Sequence, residues 1–127
     1  MFTKIKYFIQ RGRRGYSDED QWDVGNYLAT IVPVLVRRLQ KGHGCPSELF
    51  DKERVNDECH NWYDILEEIA QGFEAANEVA QGTYYKSKQL PDGKWSHEFD
   101  QARYDNLQNK AKRGLELFAV WYQNLWD

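Results

Sequence analysis

The sequence has few of the features that mark secreted or membrane proteins. Its 127 residues include only two cysteines, Cys45 and Cys59, which are too few for the disulfide framework of a small secreted domain. No stretch approaches the roughly 18 apolar residues of a membrane-spanning helix, and the N-terminal stretch MFTKIKYFIQ lacks the unbroken apolar core of a signal peptide. We therefore expect a protein of the cytoplasm.

The chain also lacks a large net charge. The chain has 17 basic and 20 acidic residues and a formal net charge of -3 at pH 7, so no overall field attracts duplex nucleic acid or an anionic membrane. Neither the phosphate-binding loop of P-loop enzymes nor the glycine fingerprint of dinucleotide-binding domains occurs. We expect neither a membrane nor duplex nucleic acid as a partner, and any anion binding must be local.

Apolar and aromatic residues, in contrast, are plentiful. Hydrophobic residues make up 41% of the chain and aromatic residues 15%, with five tryptophans and eight tyrosines, which is enough to bury a core. The length suits a single domain over residues 1–127, and no internal repeat or linker divides it. The spacing of the apolar residues predicts a mainly helical, all-α fold with three long helices in a bundle.

The first predicted helix starts at Ser17. Its hydroxyl can cap the helix, and Asp20 lies three residues further on, in the position of a capping box. The apolar spacing continues to Lys41. Because Pro33 lacks a backbone donor and its ring collides with the preceding turn, we expect a kink or two shorter helices there.

Two further helices carry matching apolar seams with residues four and three apart. The third begins at about Ser96 and runs to the C-terminus. The seam of the second helix comprises Val55, Cys59, Trp62, Leu66, Ile69, Phe73, Ala76 and Ala80. The seam of the third comprises Tyr104, Leu107, Ala111, Gly114, Phe118, Trp121 and Leu125.

Two segments outside these helices have a β-like pattern. Residues 2–10 alternate imperfectly, which favours a short strand or extended arm, with a helical turn nearly as good a description. The connector TYYKSKQLPDGKWSHE contains a PDG turn between short polar and aromatic stretches, which is typical of an irregular or hairpin-like connector. A small strand pairing between the two segments would complete the fold.

Three arginines, Arg11, Arg13 and Arg14, come directly before the acidic start of the first helix. A guanidinium group beside the positive end of a helix needs a negative partner. We favour local ion pairs with the acids of residues 18–23. The alternative is a site for a small anion or nucleotide, in which the neighbouring glycines let the backbone approach the ligand.

The acids of the second helix suggest a more distant alternative. Asp64, Glu67, Glu68 and Glu74 could hold Mg²⁺, as acidic pairs on facing helices do in all-helical nucleotide pyrophosphohydrolases. The third helix has no acidic pair of matching spacing. A row of glutamates on an amphipathic helix is more often its solvated face.

Four possible zinc ligands are present, namely His43, Cys45, Cys59 and His60. They include no C-x-x-C pair, Cys59 falls on the apolar seam, and neighbouring helical residues point about 100° apart. We therefore expect no metal, no cofactor and no catalytic residue, and an enzyme is the less favoured class.

The C-terminal helix is unusually rich in large apolar residues. Tryptophan and tyrosine are favoured at protein interfaces, and large apolar patches seldom stay exposed on monomers. We therefore expect this helix to carry a surface for self-association or for another protein, with core packing alone as the alternative. The candidate interface residues are Phe118, Trp121, Tyr122, Leu125 and Trp126.

Four segments, RGYSDEDQW, GHGCP, GFEAA and GLELFAVWYQNLWD, resemble a widespread group of small phage-encoded proteins of unassigned function. Those proteins open on RG(Y/W)SDED and close on GLELF with a terminal LWD. The proline in TIVPVLV departs from this pattern. The resemblance implies phage origin and action inside a bacterium, and it confers no catalytic residue. Our leading hypothesis is a non-catalytic accessory protein that binds itself or a host or phage protein, with counter-defence as one role.

Overall fold

The computed structural model describes residues 1–42, 44–46 and 58–126, with the backbone alone for residues 58–61. Within them the chain is mainly helical and carries one small antiparallel sheet, which confirms the predicted helical class. The helices are α1 (Phe2–Arg14), α2 (Asp18–Trp22), α3 (Val24–Leu39), α4 (Glu58–Gln81) and α5 (Gln101–Trp121), followed by a 3-10 turn at Tyr122–Asn124. The strands are β1 (Tyr85–Gln89) and β2 (Trp95–Phe99).

The N-terminal segment forms a helix, so the strand expected over residues 2–10 is wrong. Phe2, Ile5 and Ile9 recur at helical spacing, and this spacing prevails over the imperfect alternation. Gly15 ends α1 in the left-handed conformation (φ 84°), and its amide donates to the carbonyl of Arg11, as is usual for a helix terminated by glycine. The sheet does not include this segment.

The first predicted helix is divided at Asp23 and not at Pro33. The capping box is present, since the Ser17 hydroxyl accepts from the Asp20 amide and the Asp20 carboxylate accepts from the Ser17 amide. Asp23 leaves helical geometry (φ -142°, ψ 80°) and its carboxylate accepts from the amide of Asn26 at 3.0 Å. This side chain therefore starts a new helix, and α3 continues through the buried Pro33.

Helix α4 lies between α3 and α5 and packs against both, whereas the backbones of α3 and α5 do not approach each other. The predicted seams are buried in part, at Trp62, Leu66, Ile69 and Phe73 of α4 and at Leu107, Ala111 and Gly114 of α5. Ala80 is exposed, and α4 meets α5 at Gly72 and Ala75, which lie outside its predicted seam. Val55 and the side chain of Cys59 lie outside the described residues. The main core cluster comprises Val36, Trp62, Leu66, Ile69, Ala70, Phe73 and Leu117. A smaller cluster of Ala75, Leu107 and Ala111 continues along α4 and α5. We call α3, α4 and α5 together the three-helix layer.

Helices α4 and α5 cross in direct backbone contact at Gly72 and Gly114. A Cβ atom on Gly114 would lie 2.5 Å from the carbonyl oxygen of Glu68 and 2.5 Å from the Cα atom of Gly72. No side chain therefore fits between the helices at this point.

The connector forms the expected hairpin. Strands β1 and β2 are antiparallel, with Tyr85 opposite Phe99, and Gly93 in the PDG turn has a positive φ of 85°. Helix α5 starts after Asp100, whose carboxylate accepts from the Arg103 amide at 3.0 Å. The start expected at Ser96 is wrong, because that residue lies in β2.

Candidate functional site

The N-terminal third of the chain buries almost none of its apolar side chains. Helix α1 has no buried residue. Over residues 1–35 the buried residues are Ser17, Asp20 and Pro33. The three-helix layer thus closes its core largely without α1, α2 and the first half of α3, so the apolar residues of this third remain available for contact with another molecule.

One exposed surface is the apolar face of α1. Its residues lie on one side of the helix because they are three or four positions apart, and the basic residues occupy the rest of the circumference. We define the α1 apolar face as Phe2, Ile5, Phe8 and Ile9, which are exposed to 85%, 51%, 77% and 47%.

The polar face of α1 attaches the helix to α2 through charged side chains. Arg11 donates to both carboxylate oxygens of Asp20, at 2.9 and 2.8 Å. Asp18 accepts from Arg14 and from Gln10, and Lys6 lies 3.2 Å away. The hydrogen bond from Arg11 is the main reason that the pKa of Asp20 lies well below its usual range. The hydrogen bonds from Gln10, Arg14 and Lys6 lower the pKa of Asp18 in the same way.

The three arginines of the proposed anion site are therefore placed differently from one another. Arg11 pairs with Asp20. Arg14 pairs with Asp18, and its guanidinium also lies 4.5 Å from the ring centroid of Tyr16. Arg13 is exposed and forms no ion pair with any residue that the structure describes. Arg13 and Arg14 border a groove along the α1 apolar face, and Arg11 does not.

A second exposed surface runs along α3. Its four aliphatic residues are spaced four, three and four positions apart, so they form one line on the helix. We define the α3 stripe as Val24, Leu28, Ile31 and Leu35, which are exposed to 55%, 38%, 37% and 59%. The sequence indicates an apolar helix face here, but its spacing is the same as that of a buried seam, so the exposure is apparent only from the structure.

The α3 stripe adjoins a groove between the three helices of the layer. The groove has a volume of about 240 Å³. Leu28 from the stripe, Phe73 and Ala76 from α4, and Leu115 from α5 line it, and Asp23 lies at the start of α3. A mostly apolar groove bordered by helices is suited to hold one face of another helix.

The candidate interface residues at the C-terminus divide into two groups. Phe118, Trp121 and Leu125 pack against the main core cluster, and Trp121 meets Trp62 edge-on at 5.7 Å between ring centroids. Tyr122 and Trp126 are 65% and 72% exposed. The helix ends at Trp121, so its predicted continuation to the C-terminus is wrong, and Trp126 lies beyond it.

Three of the four acids proposed to bind Mg²⁺, namely Glu67, Glu68 and Glu74, form ion pairs with arginines of neighbouring helices. Arg37 of α3 donates to Glu67 at 3.3 and 3.1 Å and to Glu74 at 3.0 and 2.6 Å. Arg37 is the main cause that lowers the pKa of Glu67 to about 2. Glu68 lies 3.6 Å from Arg113 of α5. These pairs join neighbouring helices, a connection that sequence reasoning missed.

The described residues contain no group of three or more histidine, cysteine, aspartate or glutamate side chains arranged to hold a metal. Of the four possible zinc ligands, Cys45 is partly buried. His43 and the side chains of Cys59 and His60 lie outside the described residues.

The helices of the described ranges are all too short or too polar to cross a lipid bilayer. No protein-family model, no protein of curated function and no solved structure matches this chain.

Proposed function

We propose that this protein acts by associating with protein, without catalysis, and that it associates first with itself. The observation that carries the proposal is the exposure of two apolar surfaces, the α1 apolar face and the α3 stripe, on a chain whose core closes without them. Soluble monomers rarely leave contiguous apolar patches of more than a few hundred Å² in water. A protein partner removes that area from water and gains the corresponding free energy.

These two surfaces add the N-terminal third of the chain to the interface that the sequence predicts at the C-terminus. Tyr122 and Trp126 remain candidate contacts because their rings are exposed. Trp121 and Phe118 are better explained as core residues, since both pack against the main cluster. An anion- or nucleotide-binding role is the weaker candidate, because Asp20 and Asp18 already engage Arg11 and Arg14.

The cellular setting is part of the proposal. The resemblance of segments at both ends of the chain to small phage proteins supports action inside an infected bacterium. A phage protein without a catalytic residue works by occupying a surface of its target or by building an assembly. Counter-defence is one role that such binding serves.

Sedimentation velocity over a range of protein concentrations tests the proposal. We expect the wild-type chain to sediment as a dimer or larger species, and the double variant Phe8→Glu/Leu35→Glu to sediment as a monomer with unchanged circular dichroism. The double variant Thr3→Glu/Thr30→Glu is the matched control, because it adds the same charges to the same helices at exposed positions outside the two surfaces. A wild-type chain that stays monomeric throughout would contradict the proposal.

A further inference from the structure

We infer that the two exposed surfaces cover each other between two copies of this chain. In this arrangement α1 of one copy docks on the α3 stripe and the adjoining groove of the second copy, and the second copy returns the same contact. The inference rests on the proposed self-association and specifies which surfaces meet.

The first argument is that α1 does not bury its apolar face against any part of the chain that the structure describes. Among the helices and strands, α1 contacts only α2. That contact uses Gln10, Arg11 and Arg14, which lie on the side of the helix opposite the α1 apolar face at 100° per residue. The ion pairs to α2 therefore present the apolar face outward.

The second argument is that the α3 stripe is long enough to cover the α1 apolar face. The face spans about 11 Å from Phe2 to Ile9, and the α3 stripe spans about 16 Å from Val24 to Leu35. A helix laid on another helix packs its side chains into grooves of this kind. The groove beside Leu28, floored by Phe73 and bordered by Leu115, can receive an apolar side chain of α1.

The third argument is area. Weighted by their exposed fractions, the α1 apolar face and the α3 stripe together present roughly 700 Å² per copy. A stable protein interface takes about 800 Å² from each partner. Because each copy contributes both surfaces, the reciprocal contact approaches this size, whereas pairing α1 with α1 alone or α3 with α3 alone would use about half of it.

The fourth argument is charge. Helix α1 holds five of the 17 basic residues and none of the 20 acidic ones, so 12 basic and 20 acidic residues remain in the rest of the chain. Lys4 and Arg13 border the α1 apolar face, and neither pairs with a described acid. Asp23 lines the groove and pairs with no described cation. The Asp23 carboxylate of a second copy therefore offers the basic residues beside the α1 apolar face a partner of opposite charge.

An anionic membrane fits these observations less well. Lipid headgroups would attract α1 as they attract other basic amphipathic helices. They would also repel the acidic remainder of the chain and leave the α3 stripe exposed. A second copy covers both surfaces at once.

The test uses two full-length variants with opposite charges. Phe8→Glu damages the α1 apolar face and Leu35→Lys damages the α3 stripe. In the homodimer of either variant both contacts lose a buried apolar side chain, so we expect dimerisation to weaken by about 1,000-fold. In an equimolar mixture one contact is wild type and the other pairs the introduced acid with the introduced base. We therefore expect the mixture to form a heterodimer in sedimentation velocity when each variant alone is monomeric.

Thr3→Glu and Thr30→Lys, at exposed positions off the two surfaces, are the controls and should dimerise as the wild type does. If the wild type dimerises but the mixture stays monomeric, or if only one of the two variants dissociates, the reciprocal arrangement is wrong while self-association stands. A monomeric wild type contradicts both proposals. If vesicles of phosphatidylglycerol and phosphatidylcholine bind this monomer but not its Phe8→Glu variant, the α1 apolar face binds a lipid surface instead.

Discussion

The crossing of α4 and α5 predicts that replacing Gly114 with alanine destabilises the protein, although alanine favours a helix more than glycine does. Gly114→Ala places a Cβ atom where the structure leaves 2.5 Å to the Glu68 carbonyl oxygen and to the Gly72 Cα atom, against ordinary contacts of 3.4–4 Å. Both obstacles are backbone atoms, so no flexible side chain can move aside. The helices must separate by about 1 Å, and overpacking of this kind costs about 1–3 kcal/mol.

Alanine also favours a helix over glycine by about 0.5–1 kcal/mol, which offsets part of that cost. We therefore expect Gly114→Ala to lower the free energy of unfolding by about 1–2 kcal/mol and Tm by roughly 3–8 °C. Urea and thermal denaturation followed by circular dichroism measure both quantities.

Gly12→Ala is the matched control, because Gly12 is also helical and an added Cβ meets nothing within 4 Å. It should leave stability unchanged or raise it. A Gly114→Ala protein as stable as the wild type would refute the close contact of α4 and α5.

Three further predictions concern charged and aromatic side chains. Arg37→Gln should lower stability by about 1–2 kcal/mol at pH 7. Because the folded pKa of Glu67 is about 2 against an ordinary 4.5, the difference between this variant and the wild type in urea denaturation should shrink as the pH falls from 4.5 towards 2. Asp20→Asn should speed limited digestion by trypsin within α1, and an unchanged rate would contradict its role in attaching that helix. Trp121→Ala should cost about 2–4 kcal/mol and Trp126→Ala less than about 0.5 kcal/mol, and equal losses would show that the two rings are not buried differently.

The sequence predicts the long helices well because helix packing imposes a spacing that can be read directly. Leu107, Ala111 and Gly114 recur at three and four positions, and all are buried on α5. The hairpin is also predictable, since its PDG turn requires a residue that tolerates positive φ. The break at Asp23 is harder to foresee, because it depends on whether an aspartate accepts from a nearby amide or points to solvent.

The candidate surfaces could be predicted only in part. The apolar residues of the α3 stripe are evident in the sequence. Whether they are buried depends on how many other helices pack against α3. The ion pairs of Arg37 join residues 30 and 37 positions away along the chain, and no local pattern specifies them. The N-terminal helix, α1, is ambiguous in the sequence because a few alternating residues match a strand and a helix almost equally.

The attachment of α1 differs in kind from the packing of the rest of the chain. Charged and polar side chains hold it to α2, together with one edge-on contact between Tyr7 and Trp22. The Debye length falls from about 10 Å at 0.1 M salt to about 3 Å at 1 M. Rising ionic strength therefore weakens the exposed pairs of Asp18 with Arg14 and Lys6 more than the pair of Arg11 with the buried Asp20, and it leaves the apolar packing of the three-helix layer in place. Ionic strength therefore affects the attachment of α1 more than it affects the core.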